Sequence, residues 1–437
     1  MLFNFFSSPT SLLPTSLIML SLLVGCSTTS VERPATSGPG SATPTPGVAV
    51  APGTMPQSST SSAATPPTSP AAGSTTVSPA VVGGNTLRQS TYAAIPGWNK
   101  DDLRDAWPAF KASCDVLVRR VEWRDTCLLA QDMVATDTLT VRKFFETQLV
   151  PHQVLNVDGT SQGLVTGYYE PLLRGSRKRS EIYQTPLHRP PPDLLNVELA
   201  TVYPELKTMR LRGRMSANKI LPYWTRAELT QNGILAGKEL LWVDDPIDAF
   251  FLQVQGSGRV QLADSKETVR VSYAEQNGHP YKSIGRYLVD RGELTLEQAS
   301  AQSIKAWYAA NPVRRQELLN ANPSYVFFRE EKLSDPNIGP KGSLGVPLTP
   351  HRSIAVDPQY VPLGAPVFLS TTQPNTDTAL QRLMMAQDTG GAIRNAVRAD
   401  FFWGFGPAAG EQAGKMKQRG MMWVLLPKSS AIAFPQR

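Results

Sequence analysis

Apolar residues along this chain first gather into one block, then almost vanish, then return with two different rhythms. From about Leu12 to Val24 they form a nearly unbroken run, the length of a signal-peptide core and too short to span a bilayer as a mature helix. From Ser27 to Asn85 nearly every residue is Ser, Thr, Pro, Ala or Gly. That composition offers too little apolar surface to offset ordering entropy, so a disordered linker is expected. From Ile95 to about Val154 the rhythm is helical. Leu103, Ala106, Trp107 and Phe110 recur at i, i+3, i+4 and i+7 behind Asn99, Asp101 and Asp102, residue types that start helices. Pro108 falls inside that pattern and should kink or shorten it. Two more helices are expected over about Asp125 to Val134 and about Thr140 to Gln148, the second burying Phe144 and Phe145.

After Leu164 the texture changes to short apolar runs broken by Gly and Pro, such as VTGYYEPLL, IYQTPLHRP and KELLWV. Strands of this length with frequent breakers argue a barrel or sandwich. In DAFFLQVQGSGRVQL, Gln253, Val254 and Gln255 alternate on one side of Gly256-Ser257-Gly258, and Arg259, Val260 and Gln261 on the other, which predicts a hairpin with a Gly-rich bend. Helices return from Tyr281 to Asn320, one of them opening at Leu294-Thr295-Leu296-Glu297 and stopping at Asn311-Pro312. The last third is strand-like in SIAVD, APVFLS, RLMMAQD and MMWVLL, with one helix from about Ala408 to Gln418.

Composition sharpens this division. Of 437 residues only 18% are charged and 37 are proline, against roughly 25% and 5% in ordinary globular chains. Before Arg88 the charged side chains are Glu32 and Arg33 alone, so the net charge of +7 belongs to the rest. A basic surface attracts anionic partners in a salt-dependent way, but no clustered stripe or binding fold points to nucleic acid. Four histidines and three cysteines, none in HExxH or CxxC spacing, give no support for a zinc site. GxxxxGK[ST] is absent and no GxGxxG opens a βαβ unit, so neither metal nor cofactor is expected.

A histidine-poor enzyme would move protons with carboxylates. Asp357 ends the run Ala355-Val356-Asp357-Pro358, and Asp388 precedes Thr389-Gly390-Gly391; both settings also suit plain turn formers. Asp400 precedes Phe401, Phe402 and Trp403. Apolar walls disfavour the charged form of a carboxyl and raise its pKa, which suits a general acid near neutrality.

The block from Asp357 through QDTGGAI to Asp400 resembles the three-aspartate (3D) domain. Together with PGWNKDDLRDAWPAFKASC, GYYEPLLRGS, DPIDAFFLQVQGSGR, GHPYKSIGRYL and GPKGSLGVPLTPHRSIAVDP, the region from about Ile95 to Leu426 resembles the membrane-bound lytic murein transglycosylase A family. The resemblance implies a mainly β fold with peripheral helices: a double-psi β-barrel carrying a second, inserted β-rich domain, with a sugar groove between them. The expected division is a signal peptide over 1–25, a lipidated cysteine and linker over 26–85, a barrel domain from 86–172 and 331–437, and an insert over 173–330. The barrel also resembles that of expansins and of one endoglucanase family.

Carried over residue by residue, the resemblance makes Asp400 the proton donor, with Asp388, Gly390 and Gly391 holding the site and Asp357 supporting it. In this chain Arg398-Ala399 stand where the family usually has His-Phe. Tyr168, Tyr169 and Glu170 are expected to line or support the groove, with Gln255, Gly256, Ser257 and Gly258 as a second wall. The expected partner is the glycan of peptidoglycan. A non-catalytic, expansin-like binder and a hydrolase using Asp388 with Asp400 stay open beside the transglycosylase.

Leu23-Val24-Gly25-Cys26 resembles a lipobox, which makes Cys26 the lipidation site and, with Ser27 after it, implies an anchor on the periplasmic face of the outer membrane. The linker would then have an r.m.s. reach of roughly 40 to 45 Å. Setting Cys26 aside leaves Cys114 and Cys127 in a compartment that permits disulfides. They are read either as a bridge or as two buried thiols.

Overall fold

The computed structural model describes residues 86–135, 137–333 and 335–428; the apolar run, Cys26 and the linker lie outside them. After a short strand β1 (Leu87–Gln89) come helices α1 (Trp107–Leu117), α2 (Val121–Asp132) and α3 (Thr138–Gln148). Pro108 sits in the first turn of α1, where a missing N–H costs nothing, so it starts the helix instead of kinking it. Asp137 caps α3 by accepting from the Thr140 amide. Cys114 and Cys127 join α1 to α2 in a disulfide with a Cα–Cα separation of 5.1 Å. Trp107, Phe110, Phe144 and Phe145 pack edge to face or tilted between α1 and α3.

Strands β2 (Leu149–Val154) and β3 (Gly163–Glu170) follow, and then the chain leaves for a second sheet. That excursion contains β4 (Leu172–Ser176), β5 (Thr185–His188), a small ribbon β6 (Leu195–Asn196), β7 (Arg212–Ser216) and β8 (Lys219–Pro222), helix α4 (Arg226–Gln231) and β9 (Glu239–Val243). It continues through α5 (Pro246–Gln255), β10 (Ser257–Leu262), β11 (Thr268–Gln276), α6 (Ile284–Asp290), α7 (Ala301–Ala310), α8 (Arg315–Asn320) and β12 (Val326–Lys332). Its larger sheet has the order β12-β11-β10-β4-β9-β5, with Leu173, Leu187, Leu241, Val260, Val271 and Phe328 in one apolar cluster.

The chain then returns with β13 (Ser353–Val356), β14 (Pro366–Thr372), β15 (Ala379–Asp388), β16 (Arg398–Phe405), α9 (Gly406–Lys415) and β17 (Lys417–Pro427). These join the first strands in an eight-stranded sheet of order β1-β2-β17-β14-β15-β13-β16-β3, and β17 also pairs with β3. The pairs β13/β15 and β3/β16 are parallel. One apolar cluster runs from Ile95 and Trp98 to Val424 and Leu426. Across it Arg352 makes a buried bidentate pair with Asp101, at 2.8 and 2.9 Å, so the two ends of the described chain share one core.

Three sequence expectations change. DAFFLQVQ is helix α5: Asp245 accepts from the Ile247 amide, Pro246 fills the first turn and Gly256 ends the helix at φ 82°. The hairpin lies one element later, between β10 and β11. Helix α7 begins after Ser300, whose side chain caps it, and Leu294 to Glu297 lie before it. Finally, Asp400 lies within a strand, β16, that the pattern did not announce.

A buried carboxylate lies where the two sheets meet. Glu170, the last residue of β3, is fully buried and accepts from Arg259 Nε at 2.8 Å and Arg270 Nε at 2.5 Å. Pro171 alone separates β3 from β4, and the return segment 333–352 places the Ile338 carbonyl 2.5 Å from Arg270 Nη2.

Candidate active site

Strand β13 lies between β15 and β16, and its Ala355 is the register partner of Asp388 on one side and of Asp400 on the other. Side chains alternate along a strand, so Asp400 shares a face with Phe402, and the paired strand β3 offers Thr166 opposite Asp400 and Tyr168 opposite Phe402. Tyr168, Leu348, Ala355, Ile393 and Phe402 form a small buried cluster. The sheet thus brings two aspartates, the nearer of them 45 residues from Ser343 and both more than two hundred from Thr166, onto one apolar floor.

The two carboxyls are wired differently. Asp388 Oδ1 accepts from the Ser343 amide, the Ser343 hydroxyl and the Thr389 amide, each at 2.9 Å, and Oδ2 accepts from the Tyr168 hydroxyl at 3.1 Å. Asp400 Oδ1 accepts from the Thr166 hydroxyl at 2.6 Å, while Oδ2 has no donor among the described residues. Burial pushes both carboxyls up from the ordinary aspartate value. For Asp400 the Arg398 charge and the Thr166 hydrogen bond pull back and the charge of Asp388 pushes further up; for Asp388 the hydrogen bonds from Ser343, Thr389 and Tyr168 pull back. Burial and the two nearby carboxylates also raise the Tyr168 hydroxyl well above its usual range, which keeps it a donor.

Asp357 is buried at the other end of β13. Its Oδ1 accepts from the Gln359 amide and its Oδ2 from the Asn395 amide, so it both forms a turn and ties down the loop that leads into β16. Gly390 passes close to Ile393, where a Cβ would lie 2.7 Å from Cγ1, whereas Gly391 faces open space. The positive φ of this loop, 94°, falls on Asn395 and not on a glycine.

The other predicted wall residues divide. Tyr168 is buried and presents its hydroxyl to Asp388. The Tyr169 ring is half-buried and packs on Gly410, where a Cβ would meet it at 2.7 Å. The Tyr169 amide donates to Gln255 Oε1 at 3.1 Å, which brings the end of α5 against β3. Glu170 supports this corner from below and lines nothing. Gly256 and Ser257 are part-exposed, and Gly258 packs closely on Leu252. Sequence reading missed Thr166, Ser343 and Arg398. Thr166 stands two residues before Tyr168 on the face of β3 already suspected, so alternation could have found it; nothing local marked Ser343. Among the described residues no cluster of His, Cys, Asp and Glu could hold a metal ion.

Comparison with known proteins gives two family matches: the MltA specific insert domain over residues 164–329 and the 3D domain over residues 352–426. Membrane-bound lytic murein transglycosylase A of Escherichia coli K12 is 33% identical over 297 residues, covering 66% of this chain and 72% of the relative. Among solved structures, MltA from Neisseria gonorrhoeae in its monoclinic form has a TM-score of 0.70 and 38% identity, covering 82% of this chain and 96% of its own. E. coli MltA with bound chitohexaose has a TM-score of 0.54 and 28% identity, covering 74% of this chain and 86% of its own. With the insert, the 3D segment and the length of the aligned relatives in agreement, the chain belongs to the membrane-bound lytic murein transglycosylase A family.

Proposed function

We propose that this chain is a lytic transglycosylase that cuts the β-1,4 bond between N-acetylmuramic acid and N-acetylglucosamine in peptidoglycan, leaving a 1,6-anhydro-muramyl end. The observation that carries the assignment of roles is the unequal wiring of the facing aspartates: Asp388 Oδ1 is filled by three donors, whereas Asp400 keeps Oδ2 open. Asp400, its carboxyl pushed up from the ordinary aspartate value by burial, gives its proton to the glycosidic oxygen as the bond from that oxygen to the muramyl C1 breaks. The C6 hydroxyl of the same sugar then closes onto C1 and returns its proton to Asp400. An ordinary glycosidase needs a second carboxylate as nucleophile or as base for water. Intramolecular attack removes that need, so one residue with a poised pKa serves as acid and then base. Asp388 fixes Ser343 and Tyr168 and places negative charge beside the developing positive sugar ring.

The remaining features fit the same reading. The third pairing of β17, to β3 besides β2 and β14, supports a six-stranded double-psi barrel of β3, β13, β14, β15, β16 and β17. Sheet membership and the insert match support a barrel domain over 86–172 and 331–437 around an insert over 173–330. We place the glycan at the corner formed by Tyr169 and Gln255; that this class of protein takes a glycan is supported by a relative solved with bound chitohexaose. The lipobox-like tetrad and the relatives' designation as membrane-bound support an anchor at Cys26 on the periplasmic face of the outer membrane.

Mass analysis of murein digested by the purified protein tests the reaction. Anhydro-muropeptides are expected. Reducing muropeptides would make it a hydrolase, and undigested murein with retained binding would make it an expansin-like binder. The hydrolase is disfavoured by the four donors on Asp388, three on Oδ1 and one on Oδ2, which make it a poor base toward water.

A further inference from the structure

One strand repeat away from Asp400 the eight-stranded sheet carries a concavity of about 770 Å³, built without any residue of the inserted sheet. Its walls are the loops before β3 and before β16, and its lining includes Arg394, Arg398 and Arg419. Against these three guanidiniums stands one carboxylate, Asp158, whose Oδ1 is already engaged by the Thr160 amide and hydroxyl. Arg419 is exposed and its guanidinium has no partner among the described residues. Arg394 is exposed too, and its nearest carboxylate, Asp357, is 4.0 Å away.

The wall is fixed before anything binds. Asp357 holds the Asn395 amide and Asn156 Oδ1 holds the Val397 amide, and together they keep Asn395 at a φ of 94°, a conformation a non-glycine residue holds only when its surroundings impose it. Arginine forks match carboxylates in pairs of parallel hydrogen bonds, and a cavity of this volume is of ligand size. Arg398 and Asp400 lie on the same face of β16 two residues apart, a rise of about 6.6 Å.

We propose that this arginine-lined cavity receives the carboxylate-bearing peptide stem of the muramyl residue being cut. The inference rests on the transglycosylase reading: with C1 of that sugar at Asp400, the peptide on its C3 lactyl ether must leave within a few ångströms, and its free carboxylates are the complementary charge. Arg398 ties the two places together, since its Nη2 donates to the Thr166 hydroxyl at 2.9 Å and Thr166 donates to Asp400. Stem docking therefore orders the same side chain that orders the acid.

The test compares kcat/KM on peptide-bearing glycan strands with kcat/KM on the same strands stripped of peptide, for wild type and for Arg394→Gln/Arg419→Gln. The ratio should fall about tenfold in the double variant, and amidating the stem carboxylates should produce the same fall in wild type. A ratio unmoved by the substitutions overturns the inference. Calorimetry with free stem tripeptide gives a readout without turnover. Its binding should weaken about tenfold in Arg419→Gln, and equal affinity in both proteins overturns the inference whatever the enzyme does. If wild type yields no anhydro product while tripeptide binding still depends on Arg419, the proposed reaction falls and the stem site stands.

Discussion

Thr166 and Asp400 are register partners on parallel strands, and the hydroxyl of one lies 2.6 Å from Oδ1 of the other. An arginine has only N–H donors, so the hydrogen bond from Arg398 to Thr166 Oγ1 commits that hydroxyl's own proton to Asp400. The proton that Asp400 carries is thereby directed to Oδ2.

Thr166→Val should therefore change the pH dependence of the reaction as well as its rate. The Thr166 hydrogen bond holds the Asp400 carboxyl down, so losing it raises the pKa further. An acid must be protonated in the free enzyme, so kcat/KM falls as pH rises through that pKa; in Thr166→Val this alkaline limb should move to higher pH, with a several-fold loss at its plateau. An unmoved limb would mean that Thr166 does not touch the acid's titration.

Asp400→Asn should cost roughly 10²- to 10⁴-fold or more in anhydro product, without loss of stability. Burial raises the folded-state pKa above that of the unfolded chain. Between the two values the folded protein binds more protons, and stability falls as pH rises. Asparagine removes that cost, so Tm at pH 7 should equal or exceed wild type, and the gap should close below about pH 4. Calorimetric scans at both pH values check it.

Asp388→Asn should be milder than Asp400→Asn by at least tenfold, because the residue receives hydrogen bonds and moves no proton. An amide there turns an N–H toward the Tyr168 hydroxyl or the Ser343 donors, which should lower Tm. If Asp388→Asn is inactive while Asp400→Asn works, the two roles are exchanged.

Opening the Cys114–Cys127 bridge by reduction should lower stability by at most about 3 kcal/mol, the chain-entropy value for a loop of this length. Both are fully buried, Cys114 on α1 and Cys127 on α2, and neither touches the aspartates or their hydrogen-bond partners, so specific activity at 25 °C should persist. Denaturant titration with and without reductant measures it.

Cys26→Ala should move the protein from the membrane to the soluble fraction, while a form beginning at Thr86 keeps its activity on isolated murein. Fractionation and product analysis read the two effects separately; an inactive Thr86 form would mean that the reaction depends on the residues before it.

The aspartates were legible because Gly, Pro and aromatic neighbours mark unusual backbone and dry surroundings. Their roles were less so. Local texture could not show that Asp388 receives three donors on one oxygen, since Ser343 comes from the return segment between sheets. Strand β16 was missed because Phe401, Phe402 and Trp403 are all buried: a strand covered on both faces loses the alternation by which strands are recognised. In α5 the reverse happened. Gln253, Val254 and Gln255 imitate alternation, and the stronger signals were the Asp245-Pro246 start and the Gly256 stop.

Glu170 sets how the two sheets can move. Both covalent crossings converge on it: Pro171 follows it directly, and the return segment hangs on Arg270 through Ile338. A displacement that slid one sheet along the other would tear a buried carboxylate from two guanidiniums, a rupture costing about 3 to 5 kcal/mol. Around this carboxylate lie further ties between the two regions, the Tyr169 amide on Gln255, the Arg259 guanidinium over the Phe405 ring and Lys417 on the Leu296 carbonyl, so Glu170 is the buried centre of a wider seam that resists sliding.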